Sequence, residues 1–256
     1  MSIKWWKQNS EIQNFGDYIS AYLHYQILEN KPDISSNTHR SIGSVICNPV
    51  IKDDISNGAS EISFFGCGAR GNKLNEDLKG FCRFGSVRGP LTRDLLGLAS
   101  NTKLGDSAFI LSELYSPKKK CEGFKDTLVT HFNEERLEEI LLATTGAQRV
   151  VSSKCFRNFP SLEGVIDNIA SSSFVLTSSL HGAIIAYIYK VPFAFWDSGD
   201  VNVPFKWKDF SLSIGIECKF CKDLDEGKEW YGSVKDHIIY YDASDMLNEY
   251  KNFFED

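Results

Sequence analysis

One stretch in the second half of the chain limits the fold most strongly. Residues 174–178 (Phe-Val-Leu-Thr-Ser) form an apolar run of strand length that ends in small polar residues. His181 and Gly182 follow, then an apolar segment of helix length, and then Pro192 before a second apolar run. This order predicts a strand, a turn, a helix and a second strand, with one ionisable side chain at the turn. In open α/β sheets, ligands bind at such turns, at the carboxyl ends of the strands.

Strands and helices alternate throughout this second half. The predicted elements are strand 126–132, helix 133–145, strand 149–152, helix 162–170, strand 174–178, helix 180–189 and strand 192–196. In the helix predicted at 133–145, the side chains of Leu137, Ile140, Leu141 and Leu142 are expected to face the core. Repeated alternation with short connections indicates right-handed crossovers and a mainly parallel sheet.

In the first half, strands and helices alternate less regularly, but the pattern also indicates an α/β fold. Its predicted elements are helix 17–29, strand 61–65, strand 81–87 and helix 90–98, and a further helix is predicted near the C-terminus at 243–254. Segment 112–124 carries Pro117, a run of lysines and Gly123, which together are typical of a linker. We therefore predict two small α/β domains facing each other across a cleft, at residues 1–115 and 116–256.

Composition excludes several classes of protein. The 256 residues include 28 Lys and Arg against 34 Asp and Glu, so the net charge of -6 argues against a nucleic-acid-binding protein. No apolar run reaches the length of a membrane-spanning helix, and the N-terminus lacks the apolar core of a secretory signal. The 7 scattered cysteines fit free thiols in a reducing cytoplasm. Cys218 and Cys221 have metal-ligand spacing but no second pair accompanies them, so we expect no metal site.

His181 is the leading candidate for acid–base chemistry. A histidine at the start of a helix feels the positive end of the helix dipole, which lowers its pKa. The small residues Ser178, Ser179 and Gly182 would allow a ligand to approach the backbone amides there. The alternative is a buried histidine that is satisfied by a backbone carbonyl.

Arg88 and Lys206 are the candidate cations. Arg88 lies at a predicted strand-to-helix turn, and its planar guanidinium suits bidentate binding of a carboxylate or phosphate. A structural ion pair with an acidic neighbour is the alternative. Lys206 and Lys208 follow the last predicted strand, where they either supply a cation or lie in a solvated loop.

Further candidates are more ambiguous. Asp17 is either a helix cap or a carboxylate that binds or activates a hydroxyl group. Asp106 by default caps a turn, and Gly68 belongs to a short glycine loop that lacks the fuller phosphate-binding patterns. His131, at the end of a predicted strand, is a second histidine that could face a ligand. We expect Trp6 and its neighbour Trp5 to pack within the protein rather than to lie at a membrane interface.

Together these segments resemble the polysaccharide pyruvyl transferase family, most of all the short ketal pyruvyl transferases of xanthan and succinoglycan assembly. The likeness covers most of the chain and rests on several short pieces in the same order. These are Trp5-Trp6, Asn14-Phe-Gly-Asp17, Val87-Arg-Gly-Pro with Thr92-Arg93, Gly105-Asp106, His131-Phe-Asn-Glu134, Ser178-Ser-Leu-His-Gly182, and Phe205-Lys206 with Asp209.

The resemblance implies two Rossmann-like domains of the glycosyltransferase B type, the first on the acceptor side and the second carrying the donor-site histidine. It implies phosphoenolpyruvate as donor and co-substrate, with no further cofactor, and a sugar diol as acceptor. The product would be a cyclic pyruvate ketal in an exopolysaccharide or capsule repeat unit. The expected location is the cytoplasm, with a lipid-linked acceptor and a peripheral contact with the inner membrane left open.

The resemblance also implies roles for individual residues. His181, Arg88 and Lys206 are predicted to be catalytic, with His181 giving a proton to the enol carbon or taking one from the attacking hydroxyl. The predicted substrate-binding residues are Asp17, Gly68, Asp106, His131, Ser178, Ser179, Leu180 and Gly182. Some relatives carry arginine where this chain has Ser179, and Lys206, Lys208 or Arg93 are candidates to replace that cation. A nucleotide-sugar-dependent glycosyltransferase and a catalytically silent sugar-binding module are the competing interpretations.

Overall fold

A four-stranded parallel sheet organises the first half of the chain. The protein is described by a computed structural model that covers residues 2–8, 10–28, 37–118 and 125–255. The elements of the first half are β1 (Ser2–Ile3), β2 (Ile12–Asn14), α1 (Phe15–Leu28), β3 (Thr38–Arg40), α2 (Asn48–Ser56), β4 (Ile62–Phe64), α3 (Glu76–Lys79), β5 (Cys82–Phe84), β6 (Ser86–Val87), α4 (Pro90–Leu96), β7 (Lys103–Leu104) and α5 (Leu111–Leu114). The sheet order is β1-β3-β4-β5, and β6 and β7 form a separate parallel pair.

The second half is built on a five-stranded parallel sheet with the order β13-β12-β11-β8-β9. Its elements are β8 (Lys125–Val129), α6 (Glu138–Thr145), β9 (Arg149–Val151), β10 (Lys154–Phe156), α7 (Phe159–Ala170), β11 (Ser172–Thr177), α8 (Leu180–Ile188), β12 (Phe193–Trp196), α9 (Pro204–Ser213), β13 (Phe220–Cys221), α10 (Leu224–Val234) and α11 (Ala243–Glu255). The fold is therefore mixed α/β with parallel sheets, as the alternation predicted. The central position of β11 explains its continuous apolar sequence, because such a strand is buried on both faces.

The strand–turn–helix–strand unit around His181 is confirmed. β11, α8 and β12 occupy the predicted positions, and β11 pairs in parallel with both β12 and β8. Gly182 allows α8 to pack this closely on the sheet, since a Cβ there would lie 2.6 Å from Thr177 Oγ1 and 2.9 Å from Val129 Cγ1. The turn therefore places His181 at the carboxyl end of β11.

The helix predicted at 133–145 is shorter than expected. α6 begins only at Glu138 and packs on β8 and on the edge strand β9, so the sheet covers one side of a short helix. Leu141 is buried, whereas the side chains of Leu137 and Ile140 are 68% and 50% exposed. The prediction of a buried position was therefore wrong for Leu137 and Ile140.

The strand predicted at 81–87 is divided at Gly85 into β5 and β6. β5 pairs with β4, whereas β6 pairs with β7, so the two pieces belong to different sheets. The C-terminal helix packs directly on this point, since a Cβ at Gly85 would lie 2.6 Å from Cδ2 of Phe253. The absence of a side chain at Gly85 thus allows α11 to approach the first half of the chain.

Two helices pack against the half of the chain to which they do not belong. α1 lies on α7 and α8, where the rings of Tyr22 and Phe159 meet edge to face at 5.1 Å. α11 lies on α5, and Tyr250 contacts the ring of Phe65 at 5.3 Å. The predicted division into 1–115 and 116–256 stays a prediction, and residues 119–124 of the predicted linker lie outside the described residues.

A buried hydrogen-bonded contact joins α4 to α9. The carboxylate of Asp209 accepts from the backbone amide and the hydroxyl of Thr92, at 2.9 and 2.6 Å. Gly89 makes this approach possible, because a Cβ there would lie 2.1 Å from the carbonyl oxygen of Asp209. Burial raises the pKa of Asp209, and the two hydrogen bonds oppose that rise. The contact fixes α9, which carries Lys206, against the turn that carries Arg88.

Candidate active site

A pocket of about 410 Å³ lies beside the turn that begins α8. Both halves of the chain contribute to its wall. The lining residues are Trp6, Asn14, Asp17, Gly43, Ser44, Val45, Val50, Arg70, Arg88, His131, Phe132, Asn133, Ser179, Leu180, His181, Asn202, Val203 and Lys206. Seven of the residues predicted from the sequence are among them: Asp17, Arg88, His131, Ser179, Leu180, His181 and Lys206.

Arg88 is held rigidly at the pocket wall. Its side chain is fully buried, with Nε donating to Asp106 Oδ2 at 2.8 Å and Nη1 donating to Ser44 Oγ at 2.9 Å. Gly68 leaves room for the guanidinium, since a Cβ there would lie 2.4 Å from Nη1. Nη2 is buried and has no hydrogen-bond partner among the described residues. A buried guanidinium nitrogen without a partner is costly, so Nη2 is well suited to bind an anionic ligand.

Asp106 and Gly68 therefore act behind the pocket wall. Asp106 Oδ1 accepts from the amide of Ala108, which caps a short 3-10 turn at Ser107–Ile110. Its other oxygen orients Arg88. Asp106 thus both caps the turn and pairs with Arg88. Arg88 forms a structural ion pair and at the same time lines the pocket.

His181 projects from the first turn of α8 and is almost completely buried. Its ring packs against the backbone at Gly16, where a Cβ would lie 2.3 Å from Nδ1. Nε2 lies 3.9 Å from Asp106 Oδ1 and has no hydrogen-bond partner within the part of the chain that the structure describes. Burial lowers the pKa of His181 to about 4, with Arg88 and Lys206 adding to the effect and Asp106 opposing it. The imidazole is therefore neutral at pH 7 in the unliganded protein.

Asp17 and Lys206 place opposite charges on the same pocket. Helix α1 begins at Phe15, and Asn14 Oδ1 accepts from the amide of Gly16 at 3.0 Å, so Asn14 rather than Asp17 caps this end of the helix. Burial raises the pKa of Asp17 to about 7, against the opposing effects of Lys206, Arg88 and Arg70. Burial likewise lowers the pKa of Lys206 to about 8, and its Nζ donates to Asn202 Oδ1 at 3.0 Å.

The raised pKa of Asp17 leads to a prediction about stability. The folded protein binds this proton more tightly than the unfolded chain does, so the stabilisation is fully present only below about pH 4 and is lost progressively as the pH rises to about 7. We expect Asp17→Asn to raise the stability at pH 8 by about 1–2 kcal/mol, less than the full shift implies because solvent reaches part of the carboxyl. The gain at pH 5 should be about half of this or less, because only part of the interval between the unfolded and folded pKa values lies below pH 5.

Thermal unfolding of both proteins at pH 5 and pH 8 checks this expectation. The exposed Asp200→Asn substitution is the control for loss of one negative charge. An equal Tm change at the two pH values, or a lower Tm for Asp17→Asn than for the wild type at pH 8, would contradict the interpretation that burial raises the pKa of Asp17.

The remaining predicted residues support the turns around the pocket. Ser178 Oγ accepts from the amide of His131 at 2.9 Å, which fixes the end of β8 beside the end of β11. Ser179 caps α8 by accepting from the amide of Gly182. Burial lowers the pKa of His131, and the nearby charge of Lys206 adds to this effect. Ser178 and Gly182 are therefore behind the pocket lining, in positions that shape it.

Arg70 is a cation that the sequence analysis did not identify. It lines the pocket and its charge acts on both Asp17 and Lys206. The neighbouring Gly71 has a φ of +96° and lies against the ring of Phe205, which precedes Lys206. By contrast, Arg93 pairs with the adjacent Asp94 and does not line the pocket. The only sequence signal for Arg70 was its position just after the glycine loop.

The pocket therefore combines features that suit a small polyanion. Arg70, Arg88 and Lys206 supply positive charge, and Leu180 and His181, whose amides begin α8 and have no partner inside the helix, line the same pocket. His181 and Asp17 are groups whose protonation can change on binding. Within the described residues, no cluster of three or more His, Cys, Asp or Glu side chains is arranged to hold a metal ion. None of the described helices is long and apolar enough to cross a membrane.

Comparison with known proteins bears directly on this pocket. Residues 64–197 match the family model described as polysaccharide pyruvyl transferase. The chain belongs to the polysaccharide pyruvyl transferase family. In this pyruvyl transferase domain, the matched region includes Arg88, Asp106, His131 and the turn at Leu180-His181, whereas Asp17 and Lys206 lie outside it.

A curated relative extends the comparison. The chain is 27% identical over 135 residues to the succinoglycan biosynthesis protein ExoV of Rhizobium meliloti (strain 1021), an alignment that covers 51% of this chain and 40% of that protein. The aligned region thus spans less than half of the relative's length. No solved structure matches this member of the pyruvyl transferase family at a significant level.

Proposed function

We propose that the protein transfers the pyruvyl group of phosphoenolpyruvate to two hydroxyl groups of one sugar in an exopolysaccharide repeat unit. The product is a cyclic pyruvate ketal, and phosphate is released. The observation that carries this proposal is the buried, unpartnered Nη2 of Arg88 at the wall of a cationic pocket in a chain of this family. Phosphoenolpyruvate has a carboxylate and a phosphate group, so it needs several such donors.

The donor binds through its two anionic groups. Arg88 holds the carboxylate, because its guanidinium is rigid and presents a free N–H in a buried setting. Lys206, Arg70 and the first-turn amides of α8 hold the phosphate. Arg70 then supplies the cation that some relatives obtain from an arginine at the position of Ser179.

His181 controls proton transfer at the reacting carbon. A bound polyanion raises the pKa of a neighbouring imidazole from the low value that burial gives it, so donor binding itself favours the protonated form. His181 gives this proton to C3 of the enol, which becomes a methyl group, and C2 becomes an oxocarbenium-like centre. The first sugar hydroxyl adds to C2 and returns its proton to His181.

Ketal closure completes the reaction. The C2–O bond to phosphate breaks, the second hydroxyl of the same sugar forms a bond to C2, and the proton of that hydroxyl leaves with the phosphate group. One proton has then been gained at C3, one by phosphate, and two have been lost from the hydroxyls, so the reaction balances. Asp17 orients the acceptor hydroxyl, as a pocket-lining carboxyl with a pKa near neutrality can do.

The wider setting of this reaction is also part of the proposal. We propose the two-domain arrangement of glycosyltransferase B enzymes, supported by the two parallel sheets whose loops line one pocket. We further propose a lipid-linked acceptor presented at the cytoplasmic face of the membrane. The role of the relative in succinoglycan biosynthesis supports an acceptor of the exopolysaccharide type.

Incubation of the full chain with phosphoenolpyruvate and a panel of glycosides tests the function. The expected result is phosphate release together with a mass gain on one glycoside that corresponds to a pyruvate ketal. Parallel incubations with uridine and guanosine diphosphate sugars test the competing glycosyltransferase activity. Sugar transfer from a nucleotide sugar, with no consumption of phosphoenolpyruvate, would overturn the proposal.

A further inference from the structure

One side of the pocket lacks charge and is not used by the donor. It consists of Trp6 and Asn14 from the N-terminal segment and of Phe132 and Asn133 from the loop after β8. Two aromatic rings and two amide side chains offer nothing to a phosphate or carboxylate beyond weak hydrogen bonds. Their chemistry points to a neutral ligand that has both an apolar face and polar edges.

Trp6 is held at the pocket although much of its surface is accessible. Its ring meets Phe132 edge to face at 6.0 Å, and its side chain is 52% exposed. The adjacent Trp5 instead packs against Tyr18 of α1, with the ring centroids 6.3 Å apart. Trp5 thus anchors the segment, while about half of the Trp6 side chain stays accessible at the pocket.

The other residues of this side are fixed by neighbouring elements. Asn14 ends β2, which pairs with β10 in an antiparallel ribbon, and Lys154 of β10 lies directly opposite Asn14. Nζ of Lys154 lies 5.8 Å from the centre of the Phe132 ring. The backbone amide of Asn133 donates to Nδ1 of His131, which also lines the pocket. This hydrogen bond fixes the loop that carries Phe132 and Asn133.

We infer that Trp6, Phe132, Asn14 and Asn133 form the saccharide subsite, in which the acceptor pyranose packs an apolar C–H face on Trp6. The amides of Asn14 and Asn133 bind its ring hydroxyls. A pyranose is neutral and has this combination of an apolar face and a hydroxyl edge. The inference rests on the proposed function. It adds the location and the chemical basis of acceptor recognition.

The test begins with binding, which does not depend on turnover. The full chain is labelled with 5-fluorotryptophan, and the Trp6 resonance is identified by its absence from Trp6→Phe. Methyl glucopyranoside, methyl galactopyranoside and methyl mannopyranoside are titrated separately, and UDP and GDP serve as comparison ligands. We expect at least one hexoside to shift the Trp6 resonance more than either nucleotide does. If no hexoside shifts it, or if a nucleotide shifts it preferentially, the subsite is overturned.

Kinetics then separate this subsite from the donor site. With the best hexoside as acceptor, Trp6→Ala should raise the acceptor KM about five- to tenfold and leave the phosphoenolpyruvate KM within about twofold. Phe156→Ala is the matched control, because Phe156 is an exposed aromatic residue of β10 that does not line the pocket. An unchanged acceptor KM in Trp6→Ala, or an equal change in Phe156→Ala, would refute the subsite. Absence of phosphate release from the wild-type chain with any glycoside would instead refute the proposed function.

Discussion

Replacement of His181 by alanine is expected to reduce phosphate release by about 10²- to 10⁴-fold, the usual effect of losing a general acid–base group. His181 is the one ionisable side chain at the start of α8, and its unpartnered Nε2 lies beside the Arg88–Asp106 pair. No other residue in the described part of the pocket presents an imidazole so close to Arg88. Initial rates of phosphate release at saturating phosphoenolpyruvate measure the effect.

The fold should survive this substitution. The ring packs on the backbone at Gly16, so its removal leaves a small cavity, but no hydrogen bond of the described residues is lost at Nε2. Circular dichroism and phosphoenolpyruvate binding should therefore stay close to those of the wild type. His131→Ala is the matched control, since His131 lines the same pocket from the end of β8. Near-normal turnover in His181→Ala, or a larger loss in His131→Ala, would refute the role of His181.

Replacement of Arg88 by alanine is the second change with a large expected effect. Two charge-assisted hydrogen bonds from Nη2 to the donor would be lost, at about 1.5–3 kcal/mol each, so the Kd for phosphoenolpyruvate should rise about 10²- to 10⁴-fold. The fully buried Asp106 would also lose its cation, which should cost about 3–5 kcal/mol of stability. Donor affinity is measured by calorimetric titration and stability by denaturant unfolding.

Gly68→Ala separates donor binding from stability, because it leaves the Arg88–Asp106 charges in place. Its methyl group would lie 2.4 Å from Nη1 and would displace a guanidinium that is fixed by Asp106 and Ser44. A displacement of this kind near the substrate should weaken donor affinity by about tenfold or more. Gly232→Ala is the control, since a Cβ at Gly232 meets nothing within 4 Å. Unchanged donor affinity in both Arg88→Ala and Gly68→Ala would count against Arg88 as the carboxylate-binding residue.

The parts of the fold that the sequence predicted well depend on local pattern. Alternating apolar runs and turn residues are sufficient to place β11, α8 and β12, because a buried parallel strand and its following helix are both continuous in sequence. The same local logic placed Arg88 and His181 at strand-to-helix turns. These turns lie at the carboxyl ends of parallel strands in two different sheets, and both residues line one pocket.

The parts that could not be predicted depend on contacts between distant segments. Arg70 lines the pocket next to Gly71, which packs on Phe205 from a distant segment, a contact that no local pattern encodes. Asn14 caps α1 instead of Asp17, because α1 begins earlier in the chain than its apolar periodicity indicated. Ile140 is half exposed because the sheet covers only one side of α6, at β8 and the edge strand β9. Each of these results required knowledge of which segments meet.

The placement of α1 and α11 has a consequence for synthesis of the chain on the ribosome. α1 emerges early, but α7 and α8, on which it packs, are translated only much later. The first half in turn lacks its covering helix until α11, the last element, has left the exit tunnel. Domains commonly fold one after another as they emerge. Here, α1 waits for α7 and α8, and the first half waits for α11, so both surfaces stay uncovered in the nascent protein until segments distant in sequence have been made.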